Sequence, residues 1–187
     1  MVKLCARWIP HLLTSQQKEE RVECAKNLLA KMRRWGTDGM KRLATGDETY
    51  VPYYQPGSRT ERKEWVRKGD PPPTTIRPGT FQGKVLYTIF FTSEGVVAKV
   101  MSPPSATVTA SSYKETVLPA VIAGLREKQP IGTIHLHHDN APAHRSSLVQ
   151  LFLQEQGVDL VAHSPYSPDL APCDLFSFSS FESCIAF

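Results

Sequence analysis

Two aspartates stand at positions where α/β proteins commonly carry out chemistry. Asp139 follows a short predicted strand at 133–137 and precedes a helical pattern at 143–156. Asp174 follows a second predicted strand at 158–162 through the turn-rich sequence SPYSPDLAPC. Because ligand crevices of α/β sheets open beyond the carboxyl ends of the strands, both aspartates are candidates for binding or catalysis.

Helix capping is the alternative role for these two aspartates, because Asp is a favoured N-cap residue. Asp139 stands just ahead of the helix predicted at 143–156, and Asp174 is placed to begin a final helix. Position alone favours capping over chemistry at both residues. A choice in favour of chemistry therefore needs a further observation.

Histidines and cysteines raise the question of a zinc site. Five histidines lie in the same part of the chain: His135, His137, His138, His144 and His163. Four cysteines, at positions 5, 24, 173 and 184, form no CxxC pair. Because no Cys/His spacing matches a structural zinc site, we expect no zinc and free thiols.

The bulk properties of the chain are those of an ordinary globular domain. The 187 residues are enough for one domain, and 41% hydrophobic and 21% charged residues are close to average. A formal net charge of +4 is compatible with a polyanionic partner but indicates one only weakly. The start MVKLCARWIP lacks the apolar run of a signal peptide, and no stretch is long enough to span a membrane. These features predict a location in the cytosol or nucleus.

The elements that must position the aspartates follow from the periodicity of the sequence. A helix with a Thr/Ser start signal is predicted at 14–35, with Gly36 and Gly39 ending it, and a strand is predicted within 40–54. Two strands, at 84–92 and 96–101, form a predicted hairpin around Ser93-Glu94-Gly95. Together with the two later strands, these elements predict one α/β layer fold with a helical lead-in.

Two segments between these strands carry special features. A helix is predicted at 110–128, although it must accommodate Pro119. The segment 52–83 contains six prolines and reads as a long loop. Its basic residues are Arg59, Arg62, Lys63, Arg67, Lys68 and Arg77. The composition leaves two roles open for this loop, a functional contact and a solvated linker.

Four segments of the chain resemble the mariner family of DNA transposases. HHDNAPAH at 137–144 and PYSPDLAPCDLF at 165–176 are similar to the two signature blocks of that family, and the interval between Asp139 and Asp174 is typical of it. TGDETYVPYY at 45–54 is similar to the first catalytic block, in which Asp47 matches the carboxylate. ARWIPHLLT at 6–14 resembles the linker motif. The four segments occur in the family's order.

The resemblance implies a ribonuclease-H-like fold, a mixed sheet flanked by helices, in which Asp47, Asp139 and Asp174 meet as catalytic metal ligands. Two Mg²⁺ or Mn²⁺ ions would then activate the attacking oxygen and stabilise the leaving oxygen of a phosphodiester. Carboxylates suit these hard cations better than thiolates or imidazoles do. By resemblance, Asn140 and His144 help to orient the second carboxylate or the start of the following helix. Cys173 is expected to be a buried small residue.

The resemblance also predicts organisation and partners. Residues 1–39 form a linker and lead-in helix, and residues 40–187 form the catalytic domain with the basic loop at 52–83. The expected partner is DNA at transposon ends, and a homodimer is expected through the linker motif at 6–14 and the basic loop. The expected location is the nucleus, with no membrane contact.

The chain departs from the family pattern at both ends. It begins after the helices that read transposon ends, and it ends in the serine-rich sequence DLFSFSSFESCIAF. We therefore expect a catalytic domain truncated at both ends, with impaired transposase activity. The alternative is a catalytically inactive, transposon-derived remnant that retains nucleic-acid or subunit binding.

Overall fold

A five-stranded mixed sheet organises the computed structural model, which describes residues 11–52, 63–71, 74, 83–103 and 107–175. The strands are β1 (Leu43–Pro52), β2 (Lys84–Thr92), β3 (Gly95–Met101), β4 (Ile134–His137) and β5 (Val158–Val161). Their order across the sheet is β3-β2-β1-β4-β5. β1, β2 and β3 pair antiparallel, whereas β1, β4 and β5 pair parallel. The predicted hairpin and the two later strands are confirmed.

The first helix, α1 (Ser15–Lys41), begins where the sequence predicts but ends later. Thr14 forms a capping box, in which its hydroxyl accepts from the Gln17 N–H at 3.2 Å and its N–H donates to Gln17 Oε1 at 2.9 Å. Gly36 interrupts the helix with a φ of 60°, after which helical structure resumes as far as Lys41. The prediction that Gly36 and Gly39 end the helix is therefore wrong, because Gly36 produces a kink.

The predicted helix at 110–128 consists of α2 (Ala110–Ser112), a π-helical turn (Tyr113–Val117) and α3 (Leu118–Lys128). The wide turn explains how Pro119 is tolerated. A proline in a regular helix has no N–H to donate and meets the carbonyl one turn earlier. Here Pro119 lies in the first turn of α3, directly after the π turn, where the Leu118 N–H donates to the Tyr113 carbonyl.

The remaining helices are α4 (Ser147–Glu155) and α5 (Pro172–Leu175), with a 3₁₀ turn at Pro168–Leu170. α4 begins four residues later than the helix predicted at 143–156, because Ser146 supplies its N-cap. Among the described residues, no helix combines the length and apolar character needed to cross a membrane.

The hydrophobic core fills one face of the sheet, and α1 covers the other. Buried residues from the strands, the π turn, α3 and α4 form the core, namely Ala44, Phe90, Ala98, Tyr113, Val117, Leu118, Val121, Leu125, Ile134, Leu136, Val149 and Leu153. On the opposite face, the Trp35 ring of α1 stacks on His135 at a centroid distance of 3.9 Å. Lys31 Nζ lies 3.1 Å from a carboxylate oxygen of Asp159 in β5. The lead-in helix is thus fixed directly to the sheet.

Candidate active site

Asp47 lies on β1, and Asp139 lies two residues beyond the end of the neighbouring parallel strand β4. In the pairing of β1 with β4, Thr45 lies opposite His137. Asp47 follows Thr45 by two residues and Asp139 follows His137 by two residues, so both aspartates have the same offset in sequence from the last residue pair of β1 and β4. Both carboxylates also contribute to raising the pKa of the same buried phenol, Tyr113, although burial is the larger cause. The fold therefore brings both aspartates, which are far apart in sequence, near Tyr113.

The third predicted site residue, Asp174, lies on α5 (Pro172–Leu175), and this helix packs beside β1. Its backbone therefore lies close to the strand that carries Asp47, while nothing is described of its side chain. Cys173, its neighbour, is 2% exposed, as predicted for a small buried residue. Among the side chains that are described, no group of three or more His, Cys, Asp or Glu is arranged to hold a metal ion.

Asp139 does not cap the helix that follows it. Its Oδ1 accepts a hydrogen bond from the Ala141 N–H at 3.0 Å and another from His144 Nδ1 at 2.7 Å. The N-cap of α4 is Ser146, whose hydroxyl accepts from the Val149 N–H at 3.3 Å. The capping alternative is therefore wrong for Asp139. The hydrogen bond from His144 is the main reason that the pKa of Asp139 is lowered, so this carboxylate is ionised at neutral pH.

His144 lies between two carboxylates. Its Nδ1 contacts Asp139, and its Nε2 lies 3.5 Å from Oε1 of Glu48. The His144 side chain is only 2% exposed. Burial lowers the pKa of His144, but the carboxylates of Asp139 and Glu48 reverse this effect and raise the pKa to about 9. The ring is consequently an imidazolium that links β1 to the segment after β4.

Glu48 is the site residue that sequence analysis missed. Successive strand residues point to opposite faces of a sheet, so Glu48 leaves β1 on the side away from Asp47. Its side chain is 18% exposed, and its Oε1 lies 3.5 Å from Nε2 of the buried His144. The available signal was its place beside Asp47 in the TGDE sequence, because a carboxylate that a strand directs toward the interior requires a partner. That partner comes from a segment nearly a hundred residues away.

Other histidines of the predicted cluster contact one another and nearby side chains. His138 Nδ1 lies 2.9 Å from the Tyr113 hydroxyl, and the His138 ring stacks on His144 at a centroid distance of 4.7 Å. Burial lowers the pKa of His138 to about 3 and that of His137 to about 4. His163 Nδ1 lies 3.2 Å from His137 Nε2. His137 and His138 are therefore neutral and support the site from within the fold.

A cavity of about 550 Å³ opens beside Asp139. Its lining includes Asn140, Arg145, His163 and Tyr166. Asn140 Nδ2 donates to the His163 carbonyl at 2.7 Å, so Asn140 ties the segment after β4 to the segment after β5 and does not contact the Asp139 carboxylate. The cavity thus combines an ionised carboxylate, a guanidinium and an aromatic ring, a set of groups that can receive a phosphate ester and its neighbouring group.

Sequence comparison relates this chain to known transposases. The family model described as Transposase (partial DDE domain) matches residues 55–132. The Mariner Mos1 transposase of Drosophila mauritiana is 30% identical over 190 residues, which cover 99% of this chain and 53% of the relative. The human Histone-lysine N-methyltransferase SETMAR is 29% identical over 184 residues, which cover 95% of this chain and 26% of that protein. The chain spans about half the length of Mos1.

Structural comparison leads to the same group of proteins. The Mos1 paired-end complex with left transposon end has a TM-score of 0.76 and 30% identity, and covers 99% of this chain and 53% of its own. The Mos1 paired end complex with Mn also has a TM-score of 0.76, with 29% identity, and the match covers 99% of this chain and 54% of the Mos1 chain. The Mos1 paired end complex with Mg has a TM-score of 0.76 and 30% identity, and the match covers 100% of this chain and 54% of the Mos1 chain. The predicted ribonuclease-H-like fold, a mixed sheet flanked by helices, is confirmed.

Proposed function

Because this chain is homologous to the mariner transposases over nearly its whole length, we propose that it is a catalytic domain for metal-dependent DNA strand cleavage and transfer at transposon ends. The observation that carries the proposal is the position of Asp47 on β1 and of Asp139 two residues beyond the end of the neighbouring parallel strand β4. Asp174 is the proposed third carboxylate, on the helix that packs beside β1.

A pair of Mg²⁺ or Mn²⁺ ions is the proposed cofactor, held by Asp47, Asp139 and Asp174. The two hydrogen bonds to Asp139 use Oδ1, so Oδ2 of this half-exposed carboxylate is the oxygen offered to a cation. Ionised carboxylates are the hard oxygen ligands that these cations prefer. When bound, the ions would supply Lewis-acid chemistry to the attacking and leaving oxygens of the phosphodiester.

The protein's own contribution is to hold the carboxylates still and to receive the DNA strand. The His144 imidazolium keeps Asp139 ionised and fixes its orientation, and Glu48 balances the charge of His144 from the other side. Arg145 lines the same cavity as Asp139 and is placed to pair with a phosphate of the bound strand. Fixed positions matter because in-line attack depends on sub-ångström placement of the phosphate.

DNA at transposon ends is the proposed partner, since the related structures include Mos1 complexes with such ends. We propose a homodimer formed through the linker motif at 6–14 and the basic loop at 52–83. Most of that loop lies outside the described residues, but Trp65 within it is fully exposed, which suits a contact with another subunit. A nuclear location is part of the proposal, since the two relatives are from eukaryotes and DNA is the proposed partner. The division at residues 39 and 40 stays a prediction, and α1 runs past it to Lys41.

Metal binding gives the most direct test of this function. We expect the chain to bind Mn²⁺, measured by electron paramagnetic resonance of the free ion, and to nick supercoiled plasmid in its presence. Asp139→Asn keeps an oxygen for the bonds from Ala141 and His144 but removes the charge, so Mn²⁺ affinity should fall at least about tenfold and nicking should be lost. Asp159→Asn is the matched control, because Asp159, on β5, pairs with Lys31 of α1. This variant should bind Mn²⁺ normally.

The same experiment separates the enzyme from the alternative of an inactive remnant. A remnant that only binds nucleic acid would retain plasmid binding in a gel-shift assay but would bind Mn²⁺ no better than the Asp139→Asn variant does. Equal Mn²⁺ affinity in the unchanged chain and Asp139→Asn would overturn the catalytic assignment.

A further inference from the structure

Tyr166 adopts a backbone conformation that tyrosine rarely takes. Its φ is 53°, and among the described residues it is the one non-glycine with positive φ. In this region the Cβ of an L-residue crowds the backbone, so a glycine would fit with less strain. Strain of this kind persists where the surrounding structure enforces it, and it is concentrated at functional sites. The conformation therefore calls for an explanation in terms of what the side chain does.

The residues around Tyr166 anchor the segment, while the Tyr166 ring itself projects outward. Ser164 and Ser167 are 2% and 1% exposed, whereas Tyr166 is 55% exposed. The Ser167 hydroxyl donates to the Pro165 carbonyl at 3.0 Å. Arg21 of α1 contacts the Ser167 hydroxyl at 3.4 Å and forms an ion pair with Asp169. Because these neighbours hold the loop, the tyrosine ring is not needed as its anchor.

The Tyr166 ring faces the cavity that contains Asp139. Its centroid lies 4.3 Å from that of His11, with the two rings inclined by 32°, so His11 supports the ring on one side. Tyr166, Asn140, Arg145 and Asp139 line the same space of about 550 Å³. This space accommodates a nucleotide unit, with a planar aromatic surface for a base and a guanidinium for its phosphate.

We propose that Tyr166 is a stacking platform for a nucleobase adjacent to the phosphate that reacts at Asp139. A base reaches an aromatic ring only when it is unpaired, so the strand must be frayed or single at this position. Stacking tolerates any base, because every base has a π face. The platform therefore positions the strand without reading its sequence. The proposal rests on the proposed function, since it takes the ligand to be the DNA strand that is cut.

The test compares two short oligonucleotides that differ only in their bases. One is an oligodeoxythymidine and the other carries abasic residues in place of the thymidines, so both have the same phosphate charge. Binding is measured by fluorescence anisotropy in EDTA, so no metal or cleavage enters the result. We expect the unchanged chain to bind the base-bearing strand at least about fivefold tighter than the abasic strand, from the typical strength of base–aromatic stacking.

Variants of the ring decide whether Tyr166 causes this preference. Tyr166→Phe keeps the ring and should retain the preference, whereas Tyr166→Gly should abolish it while leaving the thermal midpoint unchanged or higher, because glycine accepts the positive φ. Ile131→Ala is the control, since Ile131 is 84% exposed and precedes β4, at the end of the strand away from Asp139. It should behave like the unchanged chain.

Two results would overturn the platform. The first is an equal preference for bases in the unchanged chain and Tyr166→Gly, which would leave DNA cleavage untouched as a function. The second is a fall in the thermal midpoint of Tyr166→Gly with no change in relative binding, which would make the ring structural. A base preference that depends on Tyr166 without any metal-dependent nicking would support the platform and count against the proposed function. The two ideas can thus fail separately.

Discussion

His144 Nδ1 donates a 2.7 Å hydrogen bond to Oδ1 of Asp139, and this contact explains why the aspartate is an ionised site residue and not a helix cap. A buried imidazolium beside a carboxylate keeps the carboxylate ionised and fixes its orientation. The opposite nitrogen of His144 lies 3.5 Å from Glu48, on the strand that also carries Asp47. His144 therefore connects Asp139 to a third, partly buried acid, which is the neighbour of Asp47 in sequence.

Glu48→Gln is expected to weaken metal binding without unfolding the protein. The amide has the same shape as the carboxylate but no charge, so His144 loses half of its ionic support and Asp139 is held less firmly. Residues that orient metal ligands typically change affinity about 10–100-fold when mutated, and we expect Mn²⁺ affinity to fall within this range. Electron paramagnetic resonance of free Mn²⁺ measures the change, and circular dichroism checks the fold.

Glu94→Gln provides the matched control for Glu48→Gln. Glu94 forms a surface ion pair with Lys41 at 3.3 Å, and both side chains are 36% exposed. A surface pair of this kind contributes little, so Mn²⁺ affinity should not change. If both variants lost affinity equally, the effect would come from net charge and the positioning role of Glu48 would be refuted.

Ser146→Ala and Asp139→Asn are expected to affect different properties. Ser146 caps α4, so Ser146→Ala should lower the free energy of unfolding by about 1 kcal/mol and leave Mn²⁺ affinity unchanged. Asp139→Asn should do the reverse, with a large loss of Mn²⁺ affinity and a smaller loss of stability. Urea unfolding measures the first property. A larger loss of stability in Asp139→Asn than in Ser146→Ala would return Asp139 to a structural role.

Sequence patterns predict this fold well where the signal is local. The hairpin of β2 and β3, the capping box at Thr14 and the strand before Asp139 follow from turn residues, capping residues and periodicity. The predicted helix boundaries are wrong where the structure accommodates a helix-breaking residue. Gly36 only kinks α1, and a π turn accommodates Pro119, because packing against the sheet stabilises the helix on both sides of the breaker.

The candidate site is less accessible to sequence reasoning because its contacts are non-local. Asp47 is assigned by resemblance, and its position relative to Asp139 depends on the pairing of β1 with β4. Glu48 was missed because its partner, His144, comes from a segment that is distant in sequence. The positive φ of Tyr166 was also not predicted, since tyrosine has no preference for that conformation.

Gly124→Ala is expected to destabilise the protein strongly although only one methyl group is added. α3 lies so close to β3 that a Cβ at Gly124 would be 2.1 Å from the Val97 carbonyl oxygen. The backbone of a strand cannot move away without breaking the sheet, so we expect a loss of about 2 kcal/mol or more. Thermal unfolding measures the change.

Gly157→Asn is the comparison for Gly124→Ala. Gly157 has a φ of 65° with open space around it, and asparagine tolerates this conformation better than most residues. It should lose no more than about 1 kcal/mol. A loss in Gly124→Ala no larger than that in Gly157→Asn would show that the space between α3 and β3 admits a methyl group.

His135 is expected to make the protein less stable as the pH falls from 7 to 5. Burial is the main cause that lowers the pKa of His135, against a raising effect of Asp159, while Arg42 and Lys31 lower it further. The unfolded chain therefore takes up this proton more readily than the folded protein, so the stability present above pH 6.5 is progressively lost as the pH falls toward the folded pKa. Asp159, whose own pKa is lowered, stays ionised throughout this window.

The measurement is urea unfolding of the unchanged chain and His135→Gln at pH 7 and pH 5, followed by tryptophan fluorescence. The glutamine keeps a polar group near Asp159 but does not titrate, so the variant should lose less stability between the two pH values. Because His137 and His138 also bind protons less readily when buried, only the difference between the two proteins reports on His135. An equal or steeper loss in His135→Gln would mean that His135 takes up its proton as easily in the folded protein as in the unfolded chain.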